Sequence, residues 1–361
     1  MQQKAKEIYG GTFYNELEDK HMKPIFSRSM PAVLALLLVA CGGGGGGTST
    51  TITPTPSDPF VESTIKPATV TPSYPSGSEE LAAYNTLSTA RTTCGFGGLN
   101  QNTLLDQAAL NHNYYQAVNN AFDHYEATDL DGFTGITAEE RASAAGYVGQ
   151  LSFGEGLTYS RNNTVKAGSG AKQMAILLSA PYHLRDLVDL HREVGINVTS
   201  SGPTGSGADV IVSGTFAPAI RLAVSLSSRA AFPVQRQSST DVLTYPCDGI
   251  TNTAYRLTGE DPNPVTPRNL ATNPIGQPIF IQVLLGRTLV ITGATVTGPS
   301  GPLALLPVMT AANDPNGRLT SNMAVIMPDL PMLPNTSYSV VINGTNNGVA
   351  FTRSFSFSTG S

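Results

Sequence analysis

Imidazoles and carboxylates are the groups through which this sequence could do chemistry, and its five histidines stand in very different contexts. His21 precedes an apolar N-terminal run and is expected to lie outside the mature protein. His112 falls on the stripe Leu105, Ala108, Ala109, His112 and Tyr115, spaced as one face of a helix, where a core imidazole bonded to a neighbour is expected. His191, directly before REVGINV, reads as a surface or turn residue. That leaves His124, at the end of the long helix, and His183, in SAPYHLRD, with Glu155 of a GEG run between them. Two imidazoles and a carboxylate could hold a divalent metal, zinc being the commonest occupant, with a coordination position left open. They could instead perform metal-free acid–base work, or form a hydrogen-bonded network that shapes a binding surface. HExxH and GxSxG are both absent, and no Ser or Cys stands out as a nucleophile.

The elements that must position these residues are legible in part. Ser76-x-x-Glu79 offers a capping box ahead of LAAYNTLSTAR, and Thr137-x-x-Glu140 offers another for a helix that should stop at Gly146. An apolar segment over 173–179 predicts a short helix, and Pro181 suits the first turn of the next, YHLRDLVD. The period then changes to two, and REVGINVTS, ADVIVSGTF and RLAVSLSS read as strands. Helices followed by strands that pack on them predict an α+β domain. Pro262, Pro264 and Pro267 mark a boundary, after which helical signals vanish. Alternation at Ile279, Ile281, Val283 and Leu285, at Tyr338, Val340 and Ile342, and at Phe351, Phe355 and Phe357 predicts a small immunoglobulin-like β-sandwich, with Tyr338 packed at a corner.

His124, the run Ala138-Glu139-Glu140-Arg141 with Ala145-Gly146-Tyr147, Gly154-Glu155, Ser179-Ala180-Pro181-Tyr182-His183 and Val194-Gly195-Ile196 occur in the order and approximate spacing of the CAP superfamily. That family joins cysteine-rich secretory proteins, antigen 5 and pathogenesis-related 1 proteins, and is also called SCP-like. The sequence resembles its bacterial branch over about Ser78 to Cys247. The resemblance implies an α-β-α sandwich with a central cleft in which two histidines and one or two acids converge. Residue by residue, His124 matches the first cleft histidine, Glu155 the Glu of the GEN motif, and His183 the second histidine. Gly156 replaces the Asn of that motif, and the Trp before the SPxH segment is missing. The second cleft acid has no clear match, Gln173 standing nearest to where it would fall.

Address and attachment are carried by MPAVLALLLVAC, residues 30–41, followed by six glycines. About a dozen apolar residues behind Lys23 and Arg28 are too few for a membrane span, which needs about 20, and read as a signal peptide. Leu38-Val39-Ala40-Cys41 resembles a bacterial lipobox, which implies a mature chain beginning at a lipidated Cys41; the rival reading leaves Cys41 an ordinary thiol. Glu16, Glu18 and Asp19 are foreign to a signal n-region, so Met22 rivals Met1 as the start. Gly42 after the cysteine favours the outer membrane over the inner. The expected organisation is therefore 1–40 upstream residues and signal peptide, 41–77 disordered Gly/Pro/Thr-rich tether, 78–250 CAP domain, 251–268 linker and 269–361 β-sandwich.

Without residues 1–40, which hold five Lys/Arg and four Asp/Glu, the chain carries 16 basic and 22 acidic residues, a net charge of −6 that disfavours nucleic acid as a partner. Cys94 and Cys247 then remain, and in an oxidising compartment they are expected to pair. The functional expectation is a lipid-anchored envelope protein that binds a small or lipid-like ligand, or an envelope partner, through the His124, Glu155 and His183 cleft. A metal-dependent hydrolase using the same three residues and an adhesive protein acting through the β-sandwich are the alternatives. A weakly bound zinc on His124 and His183 is the cofactor the residue types allow.

Overall fold

The computed structural model describes residues 60–361 apart from 162 and 202–218. The signal peptide, Cys41, the first part of the tether and the strand expected at ADVIVSGTF lie outside the described residues. Asp58–Ser361 forms one compact unit of mixed α and β structure. Among the described residues no helix is long and apolar enough to cross a membrane.

Local signals start the helices. Helix α1 (Glu79–Thr93) is capped by Ser78, whose Oγ accepts from Leu81 N at 3.1 Å, so the cap sits two residues later than the Ser76 box predicts. Helix α2 (Thr103–Val118) begins at Asn102, which accepts from Leu104 N. At α3 (Ala138–Ala144) the Thr137–Glu140 capping box forms as expected, and the chain leaves through Gly146 at φ 92°, a backbone angle at which a side chain would be strained. Helices α4 (Ser169–Leu177) and α5 (Pro181–Val188) follow, the second with Pro181 in its first turn.

A four-stranded sheet runs in the order β1 (Asn100–Gln101), β3 (Glu193–Ser201), β4 (Ala219–Arg229), β2 (Gln150–Arg161), antiparallel except for the short β1–β3 pair. Helices cover both of its faces. On one, Leu222, Val224 and Leu226 of β4 join Leu87, Met174 and Leu184 from α1, α4 and α5. On the other, Ala223 meets Ala109 of α2. Glycine makes that second contact possible: a Cβ on Gly195 of β3 would lie 2.1 Å from the carbonyl carbon of Leu105.

Two further four-stranded sheets follow. One has the order β5 (Leu243–Tyr245), β6 (Ile279–Gln282), β10 (Met323–Ile326), β9 (Met309–Thr310); the other β12 (Val349–Ser358), β11 (Ser337–Asn346), β7 (Leu289–Gly298), β8 (Gly301–Pro302). Ile279 and Ile281 of β6 face Val340, Ile342 and Phe355 in a core shared by these two sheets. Tyr338 packs there too, its hydroxyl accepting from Leu333 N at 2.7 Å. The opposite face of the first of these sheets does not meet solvent. Phe280, Val325, Tyr245 and Met309 belong to the same core as α1, α4 and α5. The boundary expected at 251–268 therefore does not divide the packing, and β5, assigned from sequence to the first domain, pairs with β6 of the second.

Two features tie the ends together. Cys94 and Cys247 form a disulfide across 153 residues, with Cα atoms 5.4 Å apart. In the chain-entropy model a closure of that length contributes about 3 to 5 kcal/mol. The stretch from Phe60 to Gly77, expected to belong to a disordered tether, is instead a strap along the body. Thr64 N donates to Arg236 O, Gly98 N to Lys66 O, and Asn100 Oδ1 accepts from Thr69 N and Val70 N. These bonds satisfy backbone groups that its sequence cannot pair within a helix or sheet.

Candidate functional site

Glu155 sits on β2, an edge strand, opposite Ser225 of β4. Its side chain is almost fully buried, and both oxygens are engaged: Oε1 accepts from Arg141 Nη2 at 2.6 Å and Oε2 lies 2.8 Å from His124 Nδ1. Arg141, buried on α3, also donates through Nη1 to the carbonyls of His124 and Ile136, which fixes the loop that carries His124. Behind it lies a second buried acid, Glu126, 3.7 Å from Arg141 Nε and 2.8 Å from His112 Nδ1. His112, fully buried, therefore supports the site from below, in keeping with its place on the apolar stripe.

The second histidine is held in a parallel way from the other half of the molecule. His183 lies in the first turn of α5, and its Nδ1 is 3.2 Å from Glu260 Oε1. The same oxygen accepts from the backbone N–H groups of Tyr182 and His183, so Glu260 closes the N-terminus of α5, where negative charge is favoured. Tyr182 adds a second link: its hydroxyl bonds Asp314 and accepts from Asn316 Nδ2. At the other end of α5, the buried guanidinium of Arg91 donates to the carbonyls of Leu187 and Asp189.

His124 and His183 come together. Their ring centroids are 6.1 Å apart with planes inclined by 27°, and both line a cleft of about 440 Å³ together with Glu155, Tyr125 and Asp261. His124 is the more open, with 45% of its side chain exposed against 15% for His183. With each Nδ1 turned to a carboxylate, Nε2 is the ring atom left for a ligand in both cases.

Burial alone would lower the His124 pKa, but the hydrogen bond and charge of Glu155 outweigh it and hold the imidazole above its ordinary 6.5. Burial would raise Glu155, yet its bond to His124 and the Arg141 charge keep it below the usual 4.5. Glu260 behaves oppositely. Burial dominates and raises it, and its Oε2 has no hydrogen-bond partner among the described residues.

The acid that pairs with His183 is Glu260, from the Pro-rich connection, whereas Gln173 is buried elsewhere against Ser160. His191 is no surface residue: it is 3% exposed and bonds Ser152 Oγ through Nδ1 at 2.9 Å. Asp189 stands 3.9 Å from its other nitrogen, too far for a hydrogen bond, so the group is not a relay. The metal expectation finds no donor set, since among the described residues no group of three His, Cys, Asp or Glu is placed to hold an ion. Glu155 and Glu260 each already face an Nδ1.

No protein-family model matches the chain, and no curated protein matches it. Among solved structures, an outer surface protein from Borrelia burgdorferi is similar in part, at 12% identity, covering 42% of this chain and 92% of that one with a TM-score of 0.30. A score that low carries no argument about fold or function.

Proposed function

We propose that the chain is an envelope protein of the CAP type, anchored through Cys41, whose His124–His183 cleft binds a small ligand without turning it over. The observation that carries the reading is the meeting of two imidazoles, 59 positions apart, each set by its own buried carboxylate. Side chains held in this way present fixed hydrogen-bonding tips and lose little freedom on binding, which favours recognition. The order of the matching segments, helices on both faces of the first sheet and the Cys94–Cys247 bond support the family assignment. Binding is favoured over metal-dependent hydrolysis because, among the described residues, no group of three donors is placed to hold an ion, and Ser152, which bonds His191, faces a buried ring outside the cleft.

The reading is tested with metal-free protein and a panel of cell-wall fragments, lipids and soluble sterols. At least one compound should bind, with affinity reduced tenfold or more by His124→Ala and by His183→Ala. A panel in which nothing binds, or binding unchanged in both variants, contradicts it.

A further inference from the structure

Beside the histidine cleft the same unit contains a larger hollow, about 740 Å³, at the seam between α5 and the β5–β6–β10–β9 sheet. We propose that this hollow is a second binding site, for an amphipathic anion: an apolar body that ends in a carboxylate or a phosphate. The volume lies within the range of small-molecule sites. Leu190, Val234, Leu284, Leu285 and Met323 supply apolar walls, of which Val234 and Leu285 are exposed at 45% and 75%.

The charge of the walls is the second observation. Arg236 and Arg318 both line the hollow, and neither guanidinium has a hydrogen bond or ion pair among the described residues. Their backbones, by contrast, are fixed. Thr64 of the strap donates to Arg236 O, and Arg185 Nη1 donates to Arg318 O at 2.5 Å. Two acids also line the space. Asp186 is neutralised by Arg185 at 2.7 Å, and Asp189 Oδ1 accepts from Leu190 N. With Arg185 and Asp186 cancelling, two free guanidinium groups face one carboxylate, a local positive excess on a chain whose net charge is −5. Forked N–H donors beside apolar walls match a carboxylate or phosphate head with a hydrocarbon body. Arg318 also borders the histidine cleft, so the two hollows adjoin, but the proposal does not require the cleft to bind anything.

The test is calorimetric titration of the full chain carrying Cys41→Ser, so that it stays free of lipid, with octanoate, octyl phosphate and the neutral octyl glucoside, each below its micellar concentration. At least one of the two anions should bind at least tenfold more tightly than octyl glucoside, and the tighter of the two identifies the head group. Arg236→Gln and Arg318→Gln should each weaken that binding about fivefold or more. Both side chains are exposed, so these variants should keep the fold. Raising the salt should weaken binding as the charges are screened. His124→Ala should leave it unchanged, which separates this site from the cleft. Equal binding of octyl glucoside, no binding of either anion, or unaltered affinity in the double arginine variant would overturn the proposal.

Discussion

Glu155 is bonded on one oxygen to a permanent cation and on the other to a histidine that titrates, so its contribution to stability depends on pH in a definite sense. A carboxylate whose folded pKa is depressed stabilises fully above its unfolded value and loses that contribution as pH falls through the folded one. An imidazole whose folded pKa is raised stabilises fully below its unfolded value and loses that contribution as pH rises through the folded one. Both are present together between about 4.5 and 6.5. The urea midpoint of the native chain minus that of Glu155→Gln should be largest in that interval and shrink on either side. Glu260 has the opposite sign, because its raised pKa means that ionisation costs stability as pH rises above 4.5. Glu260→Gln, which keeps an acceptor for Tyr182 N and His183 N, should be neutral or mildly stabilising at pH 7. Glu260→Ala should cost about 1 to 3 kcal/mol by leaving those groups unpaired, measured by the same denaturation.

The site depends on elements of unequal visibility. Pro181 and the Thr137–Glu140 box announce α5 and α3, because each signal is complete within four residues and needs no tertiary partner. Strand β2, which carries Glu155, gives a weaker signal. In QLSFGEGLTYSR, Leu151, Phe153, Leu157 and Tyr159 do recur at every second position, but Glu155 interrupts that register and Gly154 and Gly156 flank it, which masks the strand until pairing with β4 supplies the order. Glu260 is hidden for a related reason: its partner His183 lies 77 residues away, and tertiary packing around α5 brings them together. Close approach of α2 to β3 is another property that sequence periodicity does not report. Gly195→Ala would set a methyl against the Leu105 backbone, and overpacking of this kind should cost about 1 to 3 kcal/mol in thermal or chemical unfolding. The same substitution at Gly249, where a Cβ meets nothing within 4 Å, relieves no packing yet sits at φ 75°, so its smaller cost would separate backbone strain from crowding.

At the scale of the molecule, the two halves suggested by composition share one core. Phe280 and Val325 cover apolar groups of α4 and α5, and β5 crosses from one half to the other. The chain from Asp58 should therefore unfold in a single transition by both circular dichroism and tyrosine fluorescence, and removal of 269–361 should leave a fragment without cooperative unfolding. Glu260, Asp314 and Asn316 hold α5, and with it His183, from the carboxy-terminal side. The account rests on His124 and His183 acting as one site. Ring nitrogen spectra of histidine-labelled protein, recorded while a ligand from the panel is added, test this most directly. The account predicts that both Nε2 signals move together along one saturation curve, with His112 and His191 still. Movement of one ring alone, or two curves with different midpoints, would contradict it.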